Sequence, residues 1–383
     1  MIVHGIEARQ TLPQEAVLSS PAKVYIEPTN RCNLICRTCL RTLWDEPPGD
    51  MDAATFAGVL DGLRACTPAP TVFFGGIGEP LAHPRIVEMV AAAAALGAPT
   101  ELITNGTLLA RPQAHALIDA GLGALWVSLD GATPASYTDV RLGAALPEVL
   151  TNIARLRDLR DDLGSATPEI GVVFVAMRRN IADLPTVLRL GRELGATRFM
   201  VTNVLPYSPA MCDEVLYARA LCNGDSGLLP DLPGLRLPKM DRQWAASEPL
   251  REAVHGAWPA EGGMLRPVCD RCPFIEDGVL AVGWDGRISP CLPLLRTHIS
   301  YLHGCARLSR HYAVANVRER GLLDVWRDPA LIEFRERVRA FEFSPCTLCD
   351  GCLLSETNDE DCYGNPFPTC GGCLWAQGVI QCP

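Results

Sequence analysis

Three cysteines on one short segment are the residues of this chain whose types and spacing best support chemistry. Cys32, Cys36 and Cys39 follow the pattern Cys-x3-Cys-x2-Cys. Three thiolates on one loop can hold three irons of a 4Fe–4S cube and leave the fourth iron open to a small ligand. A three-cysteine zinc site, or a chance spacing of buried thiols, would show the same pattern. The polar residues around these cysteines argue against a chance spacing, and we interpret the pattern as an iron–sulfur site with zinc as the alternative.

The other cysteines concentrate towards the end of the chain. Seventeen cysteines are present, and eleven of them lie between Cys269 and Cys382. The first residues lack the charged-then-apolar order of a secretion signal, which predicts a cytoplasmic protein. Because the cytosol keeps thiols reduced, clustered cysteines indicate metal binding rather than a disulfide framework.

The charge of the chain limits its partners. Asp and Glu number 44 against 34 Lys and Arg, which gives a formal net charge of -10. An acidic chain is poorly suited to non-specific binding of nucleic acid or of an anionic membrane. The longest run of apolar and small residues, Met89 to Ala98, is too short to span a bilayer. We therefore expect neither nucleic acid nor a membrane as a partner.

Alternating strands and helices must position the reactive residues. Short β-branched or aromatic runs predict the strands Lys23–Glu27, Thr71–Phe74, Glu101–Thr104, Leu125–Leu129, Ile170–Val175 and Arg198–Asn203. Segments with helical spacing between them are Ala53–Ala65, Arg85–Leu96, Pro112–Ala120, Pro147–Leu159 and Leu184–Leu194. This alternation is typical of an α/β protein with a parallel sheet, either open or a partial barrel. Sites in such sheets lie at the C-terminal strand ends, and the three-cysteine loop follows the first strand.

Composition divides the chain along its length. We expect a lead-in over residues 1–22, an α/β core over 23–205, a barrel completion or linker over 206–268, and a small cysteine-rich domain over 269–383. The 206–268 part is rich in Pro and Gly and has little periodicity. The cysteine-rich part is predicted to contain a hairpin over Val279–Ser289, with Asp285-Gly286 as its turn, and a helix over Leu322–Ala340.

Three more strand ends carry residues that suit a small polar ligand. After the second predicted strand come Gly75-Gly76-Ile77-Gly78-Glu79-Pro80, where glycines allow close approach of backbone and the glutamate can pair with an ammonium group. The third strand ends in Thr104-Asn105-Gly106-Thr107, and the fourth in Ser128-Leu129-Asp130-Gly131. Arg141 follows and offers a fork for a carboxylate, with Arg155 as an alternative. Each segment taken alone could be only a turn.

Taken together and in this order, these segments resemble the radical S-adenosylmethionine (SAM) superfamily. Its hallmark is a Cys-x3-Cys-x2-Cys loop after the first strand of a partial (β/α)6 barrel, and the resemblance covers about residues 20–205. It implies that Cys32, Cys36 and Cys39 hold a 4Fe–4S cluster that binds SAM at its open iron. The residues implied to contact SAM are Gly75, Gly76, Gly78, Glu79, Asn105, Ser128, Asp130 and Arg141.

The resemblance also implies a reaction. An external one-electron donor of the flavodoxin or ferredoxin type reduces the cluster, and one electron cleaves SAM to methionine and a 5′-deoxyadenosyl radical. That radical takes a hydrogen atom from an unactivated C–H bond of the substrate. The cofactor carries the difficult step, while the protein orients the substrate and excludes solvent.

The distal cysteines resemble the SPASM extension of sulfatase-maturating and peptide-modifying radical SAM enzymes. Cys272, Gly286 and Cys291 give the opening pattern Cys-x13-Gly-x4-Cys, and Asn316–Arg339 resembles the helix that follows. Such domains usually bind two auxiliary 4Fe–4S clusters, so the resemblance implies three clusters in all. The residues implied as auxiliary ligands are Cys269, Cys272, Cys291, Cys346, Cys349, Cys352, Cys362, Cys370, Cys373 and Cys382.

Two alignments of the closing cysteines remain open. In one, Cys352 and Cys362 are the third and fourth cysteines of the closing motif. In the other, Cys370 and Cys373 take those places, displaced by an insertion. The second is preferred, because a Cys-Gly-Gly-Cys turn suits ligation.

The preferred alignment implies a ligand set for each auxiliary cluster. The nearer cluster takes Cys272, Cys291 and Cys373, with Cys269 as a candidate fourth ligand, and the outer cluster takes Cys349, Cys352, Cys370 and Cys382. Cys346 and Cys362 fit either cluster. Zinc remains the alternative metal, because repeated Cys-x2-Cys pairs suit four-cysteine zinc sites equally well. Cys305 could be a non-ligand hydrogen-atom or proton donor.

Auxiliary clusters suggest either electron transfer or direct ligation of the substrate, and two reactions fit. The preferred one is a dehydrogenase-type oxidation of a C–OH group in a small polar molecule, such as a sugar or aminocyclitol of natural-product biosynthesis. The alternative is modification of a ribosomally made peptide or protein by crosslinking, epimerisation or side-chain oxidation. From the early start of the barrel we expect no N-terminal peptide-recognition domain, and an acidic chain would suit a cationic amino sugar; both points favour the small molecule. A non-enzymatic iron–sulfur carrier would need fully cysteine-ligated clusters, and the three-cysteine loop argues against it.

Overall fold

One sheet of ten strands organises the protein. The structure is a computed structural model that describes residues 19–44, 46–218, 221, 228–231, 234–257, 264–267, 272–349 and 352–383. Its strands are β1 Lys23–Ile26, β2 Thr71–Phe74, β3 Thr100–Thr104, β4 Ala124–Ser128, β5 Glu169–Ala176, β6 Ala196–Asn203, β7 Leu228–Asp231, β8 Leu235–Arg236, β9 Met264–Pro267, β10 Val279–Val282, β11 Arg287–Ser289, β12 His298–Leu302, β13 Cys305–Ser309 and β14 Ala315–Asn316. The sheet order is β14-β11-β10-β1-β2-β3-β4-β5-β6-β8, and β1 to β6 are parallel. The predicted α/β fold with a parallel partial barrel is confirmed.

Helices connect the parallel strands and cover the outside of the sheet. They are α1 Ala53–Arg64, α2 Ile86–Ala95, α3 Arg111–Asp119, α4 Pro134–Val140, α5 Leu146–Asp162, α6 Leu184–Glu193, α7 Pro209–Cys212, α8 Arg242–Ala245, α9 Glu248–Ala257, α10 Pro273–Glu276, α11 Leu322–Trp326 and α12 Pro329–Ala340. Asp52 caps α1 by accepting from Thr55 N at 2.8 Å. Thr133 and Ser136 form a capping box that starts α4, a helix the sequence analysis did not predict. Within the described residues, no helix has the length and apolar character needed to cross a membrane.

Ion pairs occupy the end of the barrel opposite the three-cysteine loop. Lys23 Nζ lies 2.9 Å from Glu101 Oε2, and Arg198 Nε lies 2.6 Å from Glu169 Oε2. These residues stand near the N-terminal ends of β1, β3, β5 and β6. The first pair joins β1 to β3 across β2, and the second joins the neighbouring strands β5 and β6. The residues implied in chemistry stand at the other, C-terminal strand ends, as the sequence predicts.

The distal region extends the barrel sheet. Strand β10 pairs in parallel with β1, with Lys23 opposite Val279 and Ile26 opposite Val282. The predicted hairpin is confirmed: β10 and β11 are antiparallel, and Gly286 in the turn has a φ of +84°, a conformation that favours glycine. The cysteine-rich region is therefore built onto the strand that leads into the three-cysteine loop. The domain boundaries stay predictions.

Two elements of the distal region differ from their prediction. The single helix expected over Leu322–Ala340 is two helices, α11 and α12, because Asp328 caps a new helix by accepting from Ala330 N at 2.9 Å and Pro329 cannot continue the old one. A second hairpin, β12 with β13, was not predicted. Its turn residues His303 and Gly304 both have positive φ, the conformation of a type I′ turn.

The last residues of the chain run into the barrel. The Tyr25 hydroxyl on β1 donates to the carbonyl oxygen of Pro383, and Gln381 N donates to Thr202 Oγ1 on β6 at 2.8 Å. Asn203 Nδ2 donates to the carbonyl oxygen of Val379 at 2.9 Å. This segment therefore ties β1 to β6 across the strands between them.

Candidate functional site

The three-cysteine loop leaves the C-terminal end of β1 and is held by backbone contacts. Ile35 N donates to the carbonyl oxygen of Leu142 at 3.3 Å, and Cys39 N donates to the carbonyl oxygen of Cys36 at 3.2 Å. The Leu34 side chain is buried and anchors the loop to the core. The backbone NH of Leu34 also points at Cys32 Sγ, at 3.4 Å. A backbone NH directed at sulfur favours the thiolate, the form that binds metal.

Arg141 brings a positive charge to the same loop. Its Nη1 lies 4.0 Å from Cys36 Sγ, while Nε and Nη2 bind Asp130 Oδ2 at 2.7 and 2.6 Å. Asp130 is fully buried, and its other oxygen accepts from Val175 N at 2.7 Å. Burial raises the pKa of Cys36 to about 11, and Arg141 opposes that rise. Arg141 and Asp130 thus act as a pair beside the loop, and Arg141 is fixed before any carboxylate ligand arrives.

The glycine segment packs directly against the three-cysteine loop. Gly75 N donates to the carbonyl oxygen of Ile26 at 2.9 Å, and Glu79 N donates to that of Arg31 at 2.8 Å. A Cβ atom on Gly76 would stand 2.8 Å from Glu27 Cγ, and one on Gly78 would overlap a backbone carbonyl of the loop. Only glycine allows this approach, which leaves a cradle of bare backbone beside the thiols.

Glu79 links the glycine segment to β3. One carboxylate oxygen accepts from Thr104 Oγ1 at 2.8 Å and Leu81 N at 3.0 Å, and the other accepts from Asn105 N at 2.7 Å. Burial raises the pKa of Glu79. Three protein donors use much of its capacity as an acceptor, and one lone pair remains for a ligand such as an ammonium group. Its contact with SAM stays a prediction.

The ends of β3 and β4 complete this side of the site. Asn105 Nδ2 donates to Asn33 Oδ1 at 3.0 Å and lies 3.9 Å from Cys32 Sγ, so this turn reaches the loop. Ser128 is the buried last residue of β4. Arg155, the alternative to Arg141, binds Asn152 Oδ1 at 3.1 Å on α5. Arg141 therefore lies beside the thiols, whereas Arg155 binds a residue of its own helix.

Substituting Gly78 tests whether the bare backbone matters. In Gly78→Ala, the new methyl group would overlap the carbonyl oxygen of Thr29, so the segment must shift. We expect the free energy of unfolding to fall by about 1–3 kcal/mol, as overpacking usually costs, and SAM affinity of the reconstituted protein to fall with it. Denaturant titration and equilibrium dialysis with labelled SAM measure the two effects.

The matched control is Gly321→Ala, where the nearest atom to the new methyl is Asp324 Oδ2 at 3.4 Å. This variant should change SAM affinity little. Unchanged SAM binding in Gly78→Ala would remove the glycine segment from the SAM site.

A buried charge cluster that the sequence analysis missed supports the end of β1. Arg296 Nη2 binds Glu27 Oε2 at 2.6 Å, and both side chains are 1% exposed. Arg296 Nη1 also binds Glu46 Oε2 at 3.0 Å and Asp285 Oδ2 at 2.9 Å. Glu27 in turn accepts from Ile77 N of the glycine segment at 3.3 Å. The distal region therefore supports the end of β1 and the glycine segment through Arg296. Arg296 and Glu27 are 269 residues apart in the sequence, so no local pattern indicates this contact.

Four distal cysteines line one cavity. They are Cys272, Cys291, Cys370 and Cys373, with apolar walls that include Leu294, Phe334 and Trp375. Burial raises the pKa of Cys291 well above its usual range, and the charges of the other three thiols raise it further. Elements far apart in the chain meet here, since Cys272 precedes α10 and Cys291 follows β11. The preferred alignment placed Cys370 in the outer set, whereas the structure brings it to this group.

A second group of cysteines lies beyond that cavity. Burial raises the pKa of Cys346, and the nearby Cys349 and Cys362 raise it further. Ser344 Oγ lies 3.1 Å from Cys362 Sγ. Cys352 is exposed next to this segment.

The remaining candidates lie elsewhere. Cys382 is not among the residues that line the cavity; burial raises its pKa to about 11, and Trp375 and Lys23 oppose the rise. Cys269 lies outside the described residues. Cys305 is exposed at the start of β13. The assignment of ligands stays a prediction for every distal cysteine.

The donor sets fit iron–sulfur clusters. Cysteine thiols are the ligands of 4Fe–4S cubes, and the site offers three on one loop and four around one cavity. Among the residues that the structure describes, no three Cys, His, Asp or Glu side chains converge as ligands of a single metal ion would. In a cube each thiolate binds a different iron, so its ligands stand further apart than the four ligands of zinc. The bare glycine backbone and the Arg141–Asp130 pair fit a small zwitterion next to the loop.

Comparison with known proteins gives the same picture over the whole chain. The family model of the radical SAM superfamily matches residues 26–175, and that of an iron–sulfur cluster-binding domain, SPASM, matches residues 269–353. The chain is 32% identical to the tungsten-containing aldehyde ferredoxin oxidoreductase cofactor-modifying protein of Pyrococcus furiosus, over 94% of this chain and 96% of that protein. It is 28% identical to a PqqA peptide cyclase of Methylobacterium sp., over 87% of this chain and 79% of the cyclase.

Solved structures share the fold. Streptococcus suis SuiB bound to S-adenosylmethionine superposes with a TM-score of 0.56 at 16% identity, over 90% of this chain and 73% of SuiB. Native anSMEcpe with bound AdoMet superposes with a TM-score of 0.54 at 16% identity, over 94% of this chain and 96% of that protein. With the near full-length relative and both family models, these similarities show that the chain is a radical SAM enzyme with a SPASM domain, and it belongs to the radical SAM superfamily.

Proposed function

We propose that this enzyme is a maturase that oxidatively modifies a ribosomally made peptide or a protein, with three 4Fe–4S clusters. The observation that carries the oxidative part is the pairing of β1 with β10. It places the three-cysteine loop and the four-cysteine cavity on one continuous sheet. Two redox groups on one rigid support can act on the same substrate, one by taking a hydrogen atom and the other by accepting the remaining electron.

Different residues of the chain would serve the separate steps of this reaction. Cys32, Cys36 and Cys39 would hold the SAM-binding cluster, which together with SAM supplies the abstraction of a hydrogen atom. The backbone at Gly76 and Gly78 and the Arg141 guanidinium would orient SAM. The cysteines of the cavity would hold the cluster that takes the electron, and the substrate loses a proton to solvent or a base. A flavodoxin or ferredoxin in the cytoplasm would deliver the starting electron.

Relatives support a peptide or protein substrate over a small sugar. Curated PqqA peptide cyclases are 28–33% identical to this chain. The sequence analysis preferred dehydrogenation of a small polar molecule from net charge and the position of the barrel start, and neither property describes the pocket. The peptide alternative is therefore the one we propose.

A second candidate function is modification of a metal cofactor bound to a protein. The relative that spans 94% of this chain carries a cofactor-modifying name. In that case the substrate would still be protein-bound, and the same two redox sites would serve it.

The decisive experiment supplies reconstituted enzyme, SAM and dithionite with two substrate panels. One panel is a cell-free translated library of short peptides, and the other is a set of aminocyclitols and amino sugars. Mass spectrometry should find loss of two hydrogen atoms in a peptide, together with 5′-deoxyadenosine. Oxidation confined to the aminocyclitols and amino sugars would contradict the maturase proposal and restore the small-molecule interpretation.

A variant of the cavity separates the two redox roles. Cys291→Ala should still release 5′-deoxyadenosine, because the SAM loop is intact, but should form at least about tenfold less oxidised product, since the electron has no acceptor. Liquid chromatography of both products measures the ratio. Equal product from this variant and the parent would show that the cavity takes no part in oxidation.

A further inference from the structure

Arg307 is a buried cation between the two groups of distal cysteines. It lies on β13, is 3% exposed, and lines the cavity of Cys272, Cys291, Cys370 and Cys373. Its guanidinium lies against the Cys-Gly-Gly-Cys turn, because a Cβ atom on Gly372 would stand only 2.7 Å from Arg307 Cζ. The glycine at 372 therefore leaves space for the guanidinium.

The partners of Arg307 are unusual for a buried arginine. Nη1 donates to the carbonyl oxygen of Ser355, and no ion pair with a carboxylate joins it to any residue that the structure describes. Burial lowers the pKa of Arg307, and the thiols of Cys346, Cys373 and Cys370, which come from both cysteine groups, oppose that shift. Arg296, by contrast, binds three carboxylates. A buried charge without a counter-ion costs several kcal/mol, so Arg307 fits a protein whose anions there are the clusters themselves.

We propose that Arg307 is a positioning residue that sets the reduction potentials of both auxiliary clusters and couples them as electron acceptors. A cube with four thiolate ligands is negatively charged, and reduction adds one more negative charge. A buried cation against its sulfur ligands stabilises the reduced form more than the oxidised form, which raises the potential. Arg307 lines the four-cysteine cavity and also donates to the Ser355 carbonyl, three residues after Cys352, so its charge lies beside both cysteine groups and acts on both clusters. This rests on the iron–sulfur part of the proposed function and needs no substrate.

The test measures potentials of the auxiliary clusters alone. The full chain with Cys32, Cys36 and Cys39 changed to Ala is reconstituted, its iron and sulfide are counted, and the clusters are titrated by EPR-monitored potentiometry. Arg307→Met should lower both potentials by at least about 59 mV, a tenfold change in a one-electron equilibrium. Arg307→Lys should retain most of the parent value, because the charge remains.

A matched control is Arg335→Met. Arg335 is also a buried arginine, 2% exposed, but its guanidinium stacks on Trp326 at 3.7 Å and its charged neighbours are Arg339 and Glu336 rather than thiols. This variant should leave the potentials unchanged. Equal shifts in Arg335→Met and Arg307→Met would overturn the proposal, and so would an Arg307→Met protein with full iron and unchanged potentials.

A second variant decides the matter if Arg307→Met fails to load iron. Gly372→Ala keeps the charge in the chain but pushes the guanidinium away from the turn. A lower potential with full iron supports the role of Arg307, and an unchanged potential overturns it. Absence of iron from the parent chain would instead refute the iron–sulfur part of the proposed function, and the iron count makes that failure visible first.

Discussion

Changing Cys32, Cys36 and Cys39 together to Ala should abolish SAM cleavage and remove one third of the iron. The reconstituted chain should hold about twelve irons, and the variant about eight, because one cube of four irons loses all its ligands. Release of 5′-deoxyadenosine with SAM and dithionite should fall to the level of a reaction without enzyme. Iron and sulfide assays and liquid chromatography measure both results.

Cys66→Ala is the matched control for this variant. Cys66 is buried, and its thiol donates to the carbonyl oxygen of Gly62 at 3.4 Å. Both residues lie outside the three-cysteine loop. Iron content and SAM cleavage should both survive. An iron count that does not change in the triple variant would remove the loop from the cluster site.

The same assay separates iron from zinc in the distal region. The contrary result is a parent chain that holds only about four irons and a triple variant whose remaining metal is zinc. That result would make the distal half a structural or recognition module. Oxidation through auxiliary clusters would then be abandoned, while SAM cleavage at the three-cysteine loop would stand.

Replacing Arg296 with Met should be among the most destabilising single changes in the chain. Glu27 would lose its 2.6 Å partner while 1% exposed, and removing one member of a buried ion pair typically costs about 3–5 kcal/mol. Glu46 and Asp285 would lose the same partner. Because Glu27 also accepts from Ile77 N, the glycine segment should shift and SAM affinity should fall. Denaturant unfolding of the metal-free chain and SAM binding of the reconstituted chain measure these effects.

A double variant distinguishes a lost pair from a lost side chain. Glu27→Gln combined with Arg296→Met removes the buried negative charge as well, so part of the lost stability should return. Arg64→Met is the surface control, since Arg64 and Asp61 form an exposed pair that should contribute less than about 1 kcal/mol. A double variant less stable than Arg296→Met would show that charge is not the cause.

Much of the core could be predicted from local pattern. Strands β1 to β6 were predicted to within two residues, because each is a short buried run between turn signals. Cys36, Gly78, Asp130 and Arg141 come together because parallel strands gather their C-terminal ends on one edge. Their order along the chain was therefore enough to indicate one site.

The parts that could not be predicted depend on contacts between distant segments. The preferred alignment implied Cys370 for the outer set, whereas the cavity takes its four cysteines from three segments that local pattern does not connect. Arg296 pairs with Glu27 across 269 residues of sequence, a contact that no local periodicity encodes. The break between α11 and α12 was visible as Asp328-Pro329 and was missed because apolar spacing continues through it.

The parallel pairing of β1 with β10 also has a consequence for how the protein is made. During synthesis, β1 emerges early, and its neighbour on one side, Val279–Val282, emerges only after most of the barrel. Until then β1 is an open edge, and unpaired strand edges promote aggregation. Pairing over such a sequence distance also slows folding. A fragment cut after residue 205 would keep that edge exposed, so the full chain, rather than the barrel alone, is the unit to express.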